Sequence, residues 1–316
     1  MGVAENESRN RPGCTRRRAL PLLLGGLVQC LAGCESLRLF GLPRPDGKVD
    51  KDPATAAATT LPCKNQFRVA PYLFFHDFEL KHDHPIFRDL EGLRDQVYKE
   101  LHLPAGTAVV KVYLFESEER YDRFMRSKYP DLPHRRAFFM VLPTALGGEN
   151  LVVYTVWADR LQQVQQDLRH ELTHALLNSV LKNIPIWLDE GLAEYFELPP
   201  ERQGINASHL ELLSHPPDGP VKFDLTRLEA IGSAEVEKMN RPEYREAWAW
   251  VHLLLRSTPE AKAVLVAYLQ QLRTAHEPEP LLPKLAKVFP QPEQALEEHL
   301  AHLEDRELPA ALEKRQ

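Results

Sequence analysis

Cysteine is scarce in this chain of 316 residues, and it is confined to one end. Cys14, Cys30, Cys34 and Cys63 are the only four, and none forms a CxxC or CxxH pair. This argues against a cysteine-ligated metal site and against a disulfide framework for anything beyond residue 63. Surplus positive charge is also missing. Lys and Arg number 39 against 45 Asp and Glu, a formal charge of −6. Five of those arginines lie in the first 33 residues beside two glutamates, which leaves 34 basic and 43 acidic residues behind them. No basic stripe interleaved with aromatics follows, so nucleic acid is not an expected partner. There is no internal repeat, and no later run is apolar enough to span a bilayer. What remains is an ordinary globular composition, 43% hydrophobic and 27% charged, of a length for one large or two modest domains. Its 26 prolines fall mainly in a linker and between helices.

The N-terminus reads as an address. Arg16, Arg17 and Arg18 precede an apolar stretch from Ala19 that closes on Leu31-Ala32-Gly33-Cys34. A charged segment, an apolar segment of signal-peptide length and small residues at its end make an export signal. The last four residues resemble a bacterial lipobox, which implies cleavage before Cys34 and lipidation of its thiol. Residues 1–33 are therefore expected to be a lipoprotein signal peptide. Residues 34–63, rich in Pro, Ala and Thr, are expected to be a flexible tether to the folded body. The implied location is the bacterial cell envelope, with the chain anchored to a membrane at Cys34.

Residues 64–316 carry the periodic patterns. Phe67 to Phe75 reads as one or two strands interrupted by Pro71, and Pro85 to Leu101 as an amphipathic helix. Ala108 to Phe115 reads as a buried strand. Ser117 with Glu118 and Glu119 marks a helix start, running to about Tyr129. Arg136–Leu142 and Leu151–Trp157 are two further strands with a hairpin over Gly147-Gly148-Glu149-Asn150 between them. Beyond residue 158 the pattern is almost wholly helical. A strand-rich lobe (64–157) followed by a helical lobe (158–316) predicts an α+β fold.

Inside the predicted helix Asp159–Lys182 stands His170-Glu171-Leu172-Thr173-His174. Residues four apart share a helix face, so both imidazoles can close on one zinc ion. Glu171 lies near the same face and can take a proton from a water that the metal activates. A third ligand is needed. Pro185 breaks the helix, and a second helix starting near Trp187 returns Glu190, Glu194 and Glu197 on one face. Glu190 is the ligand of choice. Glu194, one turn on, is expected to accept the free ring N–H of a ligand histidine.

His170–His174 followed by Trp187-Leu188-Asp189-Glu190-Gly191-Leu192-Ala193 resembles the gluzincins, the thermolysin-like and aminopeptidase-N-like zinc metallopeptidases. It resembles in particular a bacterial peptidase-MA-like family of lipoproteins, whose members mostly have no assigned substrate. The resemblance is sharp over 170–197 and loose elsewhere within 64–275. It implies a zincin (thermolysin-like) catalytic domain, one Zn2+ held by His170, His174 and Glu190, Glu171 as general base, and peptide-bond hydrolysis. In the aminopeptidase-N branch a tyrosine beyond the third ligand stabilises the oxyanion, and Tyr244 falls in that place. The same branch holds a substrate amine on a Gly-Ala-Met-Glu-Asn strand. Gly148-Glu149-Asn150 is a partial echo of it, but a hairpin turn explains these residues without any function, and that reading is preferred.

Other polar residues have plainer readings. Lys81-His82-Asp83-His84, with His76, is read as a solvated loop. His252 is read as a core or boundary histidine, Trp248 and Trp250 as packing residues, and Tyr195 as packing before oxyanion donor. Glu293–Arg306 is read as a surface helix. The substrate is expected to be a peptide or protein, adding beside an edge strand such as Leu151–Trp157. Two alternatives stay open: an inactive zinc-binding envelope lipoprotein acting as an interaction module, and a tethered lipoprotein whose motif is only structural.

Overall fold

In a computed structural model, the described residues are 37–38, 60–144, 148–217, 219–232, 239–274 and 279–313. The expected signal peptide with Cys34, and nearly all of the expected tether, lie outside them.

Strand β1 (Asn65–Val69) and β2 (Tyr72–His76) pair antiparallel across Ala70 and Pro71, whose peptide bond is cis. In β2, Tyr72, Phe74 and His76 are buried and the residues between them are half-buried. Strand β3 (Val110–Phe115) runs parallel to β2. Strands β4 (Ala137–Pro143) and β5 (Glu149–Val156) form an antiparallel hairpin, and β5 is parallel to β3. The order β4-β5-β3-β2-β1 makes one mixed sheet. Leu37–Arg38 adds a two-residue parallel pairing to Met140 and Val141 on the outer side of β4.

This order corrects one expectation. Leu151–Trp157 is not an edge. β5 is paired on both sides, and β4 lies outside it, with Leu37–Arg38 against its Met140 and Val141. The near-continuous apolar run of β5 is the mark of a strand covered on both faces and flanked on both sides.

The two faces of the sheet carry different cores, as a period of two requires. Phe138, Met140, Val152 and Tyr154 face helix α2 (Glu118–Lys128), where they meet Tyr121, Phe124 and Met125. Ser117 caps that helix by accepting a bond from the Arg120 N–H at 3.3 Å. Phe139, Val141, Leu151 and Val153 face the opposite way, with helices α1 (Pro85–Glu100) and α3 (Leu161–Asn178). His84 caps α1 through Nδ1, so it is a structural residue rather than a solvated one. Fully burying a leucine such as Leu168 or Leu172 of α3 stabilises by about 1.5–3 kcal/mol.

The second lobe is helical, as its sequence predicts. Helix α4 (Ile186–Phe196) turns back on α3 and is covered by α7 (Arg241–Arg256). Between these come α5 (Ala207–Ser214) and α6 (Leu225–Glu229), and after them α8 (Pro259–Leu272), α9 (Leu282–Leu285) and α10 (Pro292–Glu313). The resulting architecture is mixed α+β. Helix α10 is more than a surface helix: Leu296, Leu300 and Leu303 are buried, and it packs on α5 and α7.

Gly191 lets α4 and α7 touch. A Cβ there would stand 2.5 Å from the Ala247 carbonyl oxygen. Gly191→Ala is therefore expected to lower stability by roughly 1–3 kcal/mol through overpacking. Thermal unfolding checks this, and an unchanged melting temperature would refute the close approach.

Candidate metal centre and its cleft

Helix α3 is covered on every side near its middle, by the sheet, by α1 and by α4. All residues from Leu168 to Leu177 are buried. Polar groups in such a helix need fixed partners, and they have them. Arg169 is 1% exposed. It pairs with Asp89 through two contacts of 3.1 Å and donates to Gln96 at 2.7 Å. It also donates to the carbonyls of Phe196 and Leu198, at 3.0 and 2.8 Å. One guanidinium thus ties α3 to α1 and to the end of α4, and so sets where Glu197 stands.

His170 and His174 place their Nε2 atoms 3.3 Å apart. Pro185 caps the start of α4, and its carbonyl accepts the N–H groups of Leu188 and Asp189. The helix then presents Glu190, whose Oε2 is 3.8 Å from each of those Nε2 atoms. Ligands at about 2.0–2.1 Å from a tetrahedral ion lie roughly 3.3 Å apart, so this triangle matches a metal site after a small closure. His174 is 0% and Glu190 1% exposed. The three residues form a buried group able to hold a metal ion.

The outer ring nitrogens each meet a carboxylate. The Nδ1 of His170 is 2.9 Å from Glu197 Oε2, and that of His174 is 3.1 Å from Asp189 Oδ1. A carboxylate accepting from Nδ1, as Glu197 can from His170, favours the tautomer whose Nε2 lone pair is left for a metal. Gln166 donates to Glu197 at 2.5 Å, and Asn178 donates to Asp189 at 3.5 Å. The expected role of Glu194 is thus corrected. Its carboxylate bonds His209 Nε2 at 2.9 Å, and Glu197 and Asp189 support the ligand histidines instead. A helix turn of 100° per residue explains the exchange: Glu197 lies one further turn along, level with His170, while Asp189 reaches the opposite ring. Asp189→Asn is expected to weaken the binding of a divalent metal ion here by about 10- to 100-fold, read by competition with a chromogenic chelator. Unchanged affinity would show that the pair orients nothing.

Burial and the neighbouring Glu194 push the Glu197 carboxyl above its ordinary range. Burial would raise Glu194 as well, but the bond and charge of His209 outweigh it and hold Glu194 low. The two adjacent carboxylates are therefore unequal.

Glu171, 5% exposed, faces a cleft of about 640 Å³. Arg135, Asp167, His170, Glu197 and His209 also line it. The start of β4 forms one wall, since Ala137 is a cleft residue and Phe139 stacks on His174. Arg136 closes the rim by two 2.9 Å bonds to Asp167. Tyr244, in the first turn of α7, meets this wall through Arg135, which donates to its hydroxyl at 3.5 Å. Glu149 stands opposite Pro143 at the hairpin end of the sheet and is not a cleft residue.

Other histidines lie elsewhere. His252 is 1% exposed and bonds His299 at 2.9 Å. Burial pushes the two down to about 3 and about 4, so the pair is neutral and packs as expected of His252. Trp248 and Trp250 are fully buried. Tyr195 gives its hydroxyl to Arg256 as an acceptor at 2.5 Å, away from the cleft. His76 departs from the solvated reading: it is buried, donates from Nδ1 to the Phe78 carbonyl and meets His82 Nε2 at 3.1 Å.

Four residues of the site carried no signal of their own in the sequence: Arg169, Asp189, Glu197 and His209. Asp189 and Glu197 flank the motif within one helix, and spacing alone did not choose among the acidic residues there. His209 comes from α5, and only the tertiary fold brings it in. No protein-family model and no curated protein matches the chain.

Proposed function

We propose that the chain is a zinc-dependent metallopeptidase of the gluzincin type, with a zincin catalytic domain. One observation carries the proposal. The buried His170–His174–Glu190 triangle can hold a metal ion, with Glu197 and Asp189 at its outer ring nitrogens, and Glu171 beside it opens on a cleft. Two neutral imidazoles and one carboxylate suit zinc better than the oxygen-seeking Mg2+ or Ca2+. Bound zinc supplies Lewis acidity, lowering the pKa of water and polarising a substrate carbonyl.

The chain's own residues supply the rest. A peptide lies against the open start of β4, where Ala137 to Phe139 run past Asp167 and His174. Glu171 takes a proton from the attacking water and passes it to the leaving amine. Tyr244, whose oxygen accepts from Arg135 at the cleft wall, is the oxyanion donor that the gluzincin resemblance suggests. The lipobox-like Leu31–Cys34 adds export and lipid anchoring at Cys34 to the proposal, which places the peptide or protein substrate in the cell envelope. The test is a broad peptide library with the tag-free protein. Cleavage is expected that a chelator stops and Zn2+ restores, with one zinc per chain. Absence of zinc, or a zinc-loaded protein no more active than Glu171→Gln, would overturn it; the second outcome leaves a zinc-binding interaction module.

A further inference from the structure

We infer that the cleft takes a hydrophilic peptide. The residues flanking the bond to be cut are small, or carry hydroxyl, amide or ammonium groups, and large apolar side chains are excluded. The inference rests on the peptidase reading for the cut itself and adds the class of substrate.

Among the described residues that line the cleft, Ala137 is the only one with a hydrocarbon side chain. Ligand sites are ordinarily walled by apolar and aromatic side chains, with a few polar groups among them. Here the proportion is reversed. The chain does build apolar grooves elsewhere: one of about 550 Å³ is lined by Leu213, Val221, Phe223 and Leu300. Helix period accounts for the polar wall. Gln163, Gln166, Asp167, His170 and Glu171 recur at three- and four-residue intervals along α3 and share one stripe on the cleft. Val164, Leu168 and Leu172 fall between them and serve the core.

This wall is rich in acceptors. Asp167, Glu171, Glu194 and Glu197 bring their carboxylates to the cleft. Each carboxylate has about four lone-pair positions. The donors of the wall are fewer, and several are engaged within it. Arg136 is bonded twice to Asp167. Gln163 donates to Asp167 at 2.9 Å and Gln166 to Glu197 at 2.5 Å, while His209 bonds Glu194 at 2.9 Å. Acceptor positions stay in surplus, and in an open cleft water satisfies them. A substrate side chain that displaces this water must bring donors in return, or it leaves carboxylates desolvated and unpaired. Ser, Asn and Lys bring donors, and Gly and Ala leave the water in place. Leu and Phe do neither, so the wall selects against them.

The experiment reads cleavage and binding on one set of peptides with a common frame. The residues flanking the central bond are Gly, Ala, Ser, Asn or Lys in one arm, and Val, Leu or Phe in the other. The tag-free full chain is used, zinc-loaded for cleavage and metal-free for binding by fluorescence polarisation. Both kcat/KM and affinity are expected to be about tenfold or more higher in the polar arm. Gln163→Leu keeps the side-chain volume and puts a hydrocarbon group on the stripe, so it should narrow the preference by about threefold or more. Gln162→Leu, at an exposed position of α3 outside the cleft, should leave it unchanged. Equal or stronger binding of the Leu and Phe peptides overturns the inference, as does cleavage mainly beside those residues. A preference that Gln163→Leu leaves unmoved, or that Gln162→Leu narrows as much, also overturns it. Cleavage beside Leu or Phe sinks only this inference. Selective binding of the polar arm without cleavage sinks only the peptidase reading, and peptides neither bound nor cut in either arm sink both.

Discussion

Glu171→Gln is expected to purify with its zinc and to lose cleavage by about 100- to 10,000-fold, the range for removing a general base. The change swaps an oxygen for an amide nitrogen and alters neither size nor burial. Glu171 sits on α3 between the two ligand histidines in sequence, yet the triangle is drawn from His170, His174 and Glu190 alone. Metal content should therefore hold while turnover collapses, with KM little changed. Parallel loss of zinc and activity would mean that Glu171 is part of the metal site. Undiminished cleavage would move the base elsewhere, with the cleft residues Glu194 and His209 as the next to test.

His174→Ala should do the opposite and lose the metal outright. His174 is 0% exposed, and its ring stands between Asp189, 3% exposed, and Glu190, 1% exposed. Removing it deletes a ligand and a donor together. Two buried carboxylates then face a cavity instead of an imidazole. Leaving a buried polar group without its partner costs about 1–3 kcal/mol. The variant is expected to bind no stoichiometric zinc and to melt well below the wild type even when both are metal-free. The second comparison separates the two losses: equal apo melting temperatures would leave His174 a ligand without a structural role.

The local pattern made much of this legible. Pro85–Glu100, Ser117-capped Glu118–Lys128 and Ala261–Leu272 have apolar residues at helical spacing, and each is a helix packed on that face. His170 and His174 are four apart in a helix, so their common face needed no tertiary information. The helix break at Pro185 brought back Glu190, Glu194 and Glu197, and the resemblance over Trp187–Ala193 put the ligand at Glu190. What failed was anything that depended on which elements are neighbours. Leu151–Trp157 reads as an edge strand, yet it lies between β3 and β4. The acidic residues of α4 differ only by turns of one helix, and a rotation of 100° per residue separates a ligand from its supporting carboxylate. His76 looked solvated beside Lys81 and Asp83, but strand pairing buries it.

The sequence by itself determined the elements, the helical His170–His174 pair and the return of a carboxylate after Pro185, because those follow from backbone period and a proline's missing N–H. Only the tertiary structure decided that Asp189 and Glu197 meet the outer ring nitrogens, that Arg169 locks the end of α4, that His209 joins Glu194, and that β4 forms the cleft's edge. Those pairings join residues from different elements, whose meeting depends on how helices and strands pack, and packing is a property of the whole chain rather than of any window in it.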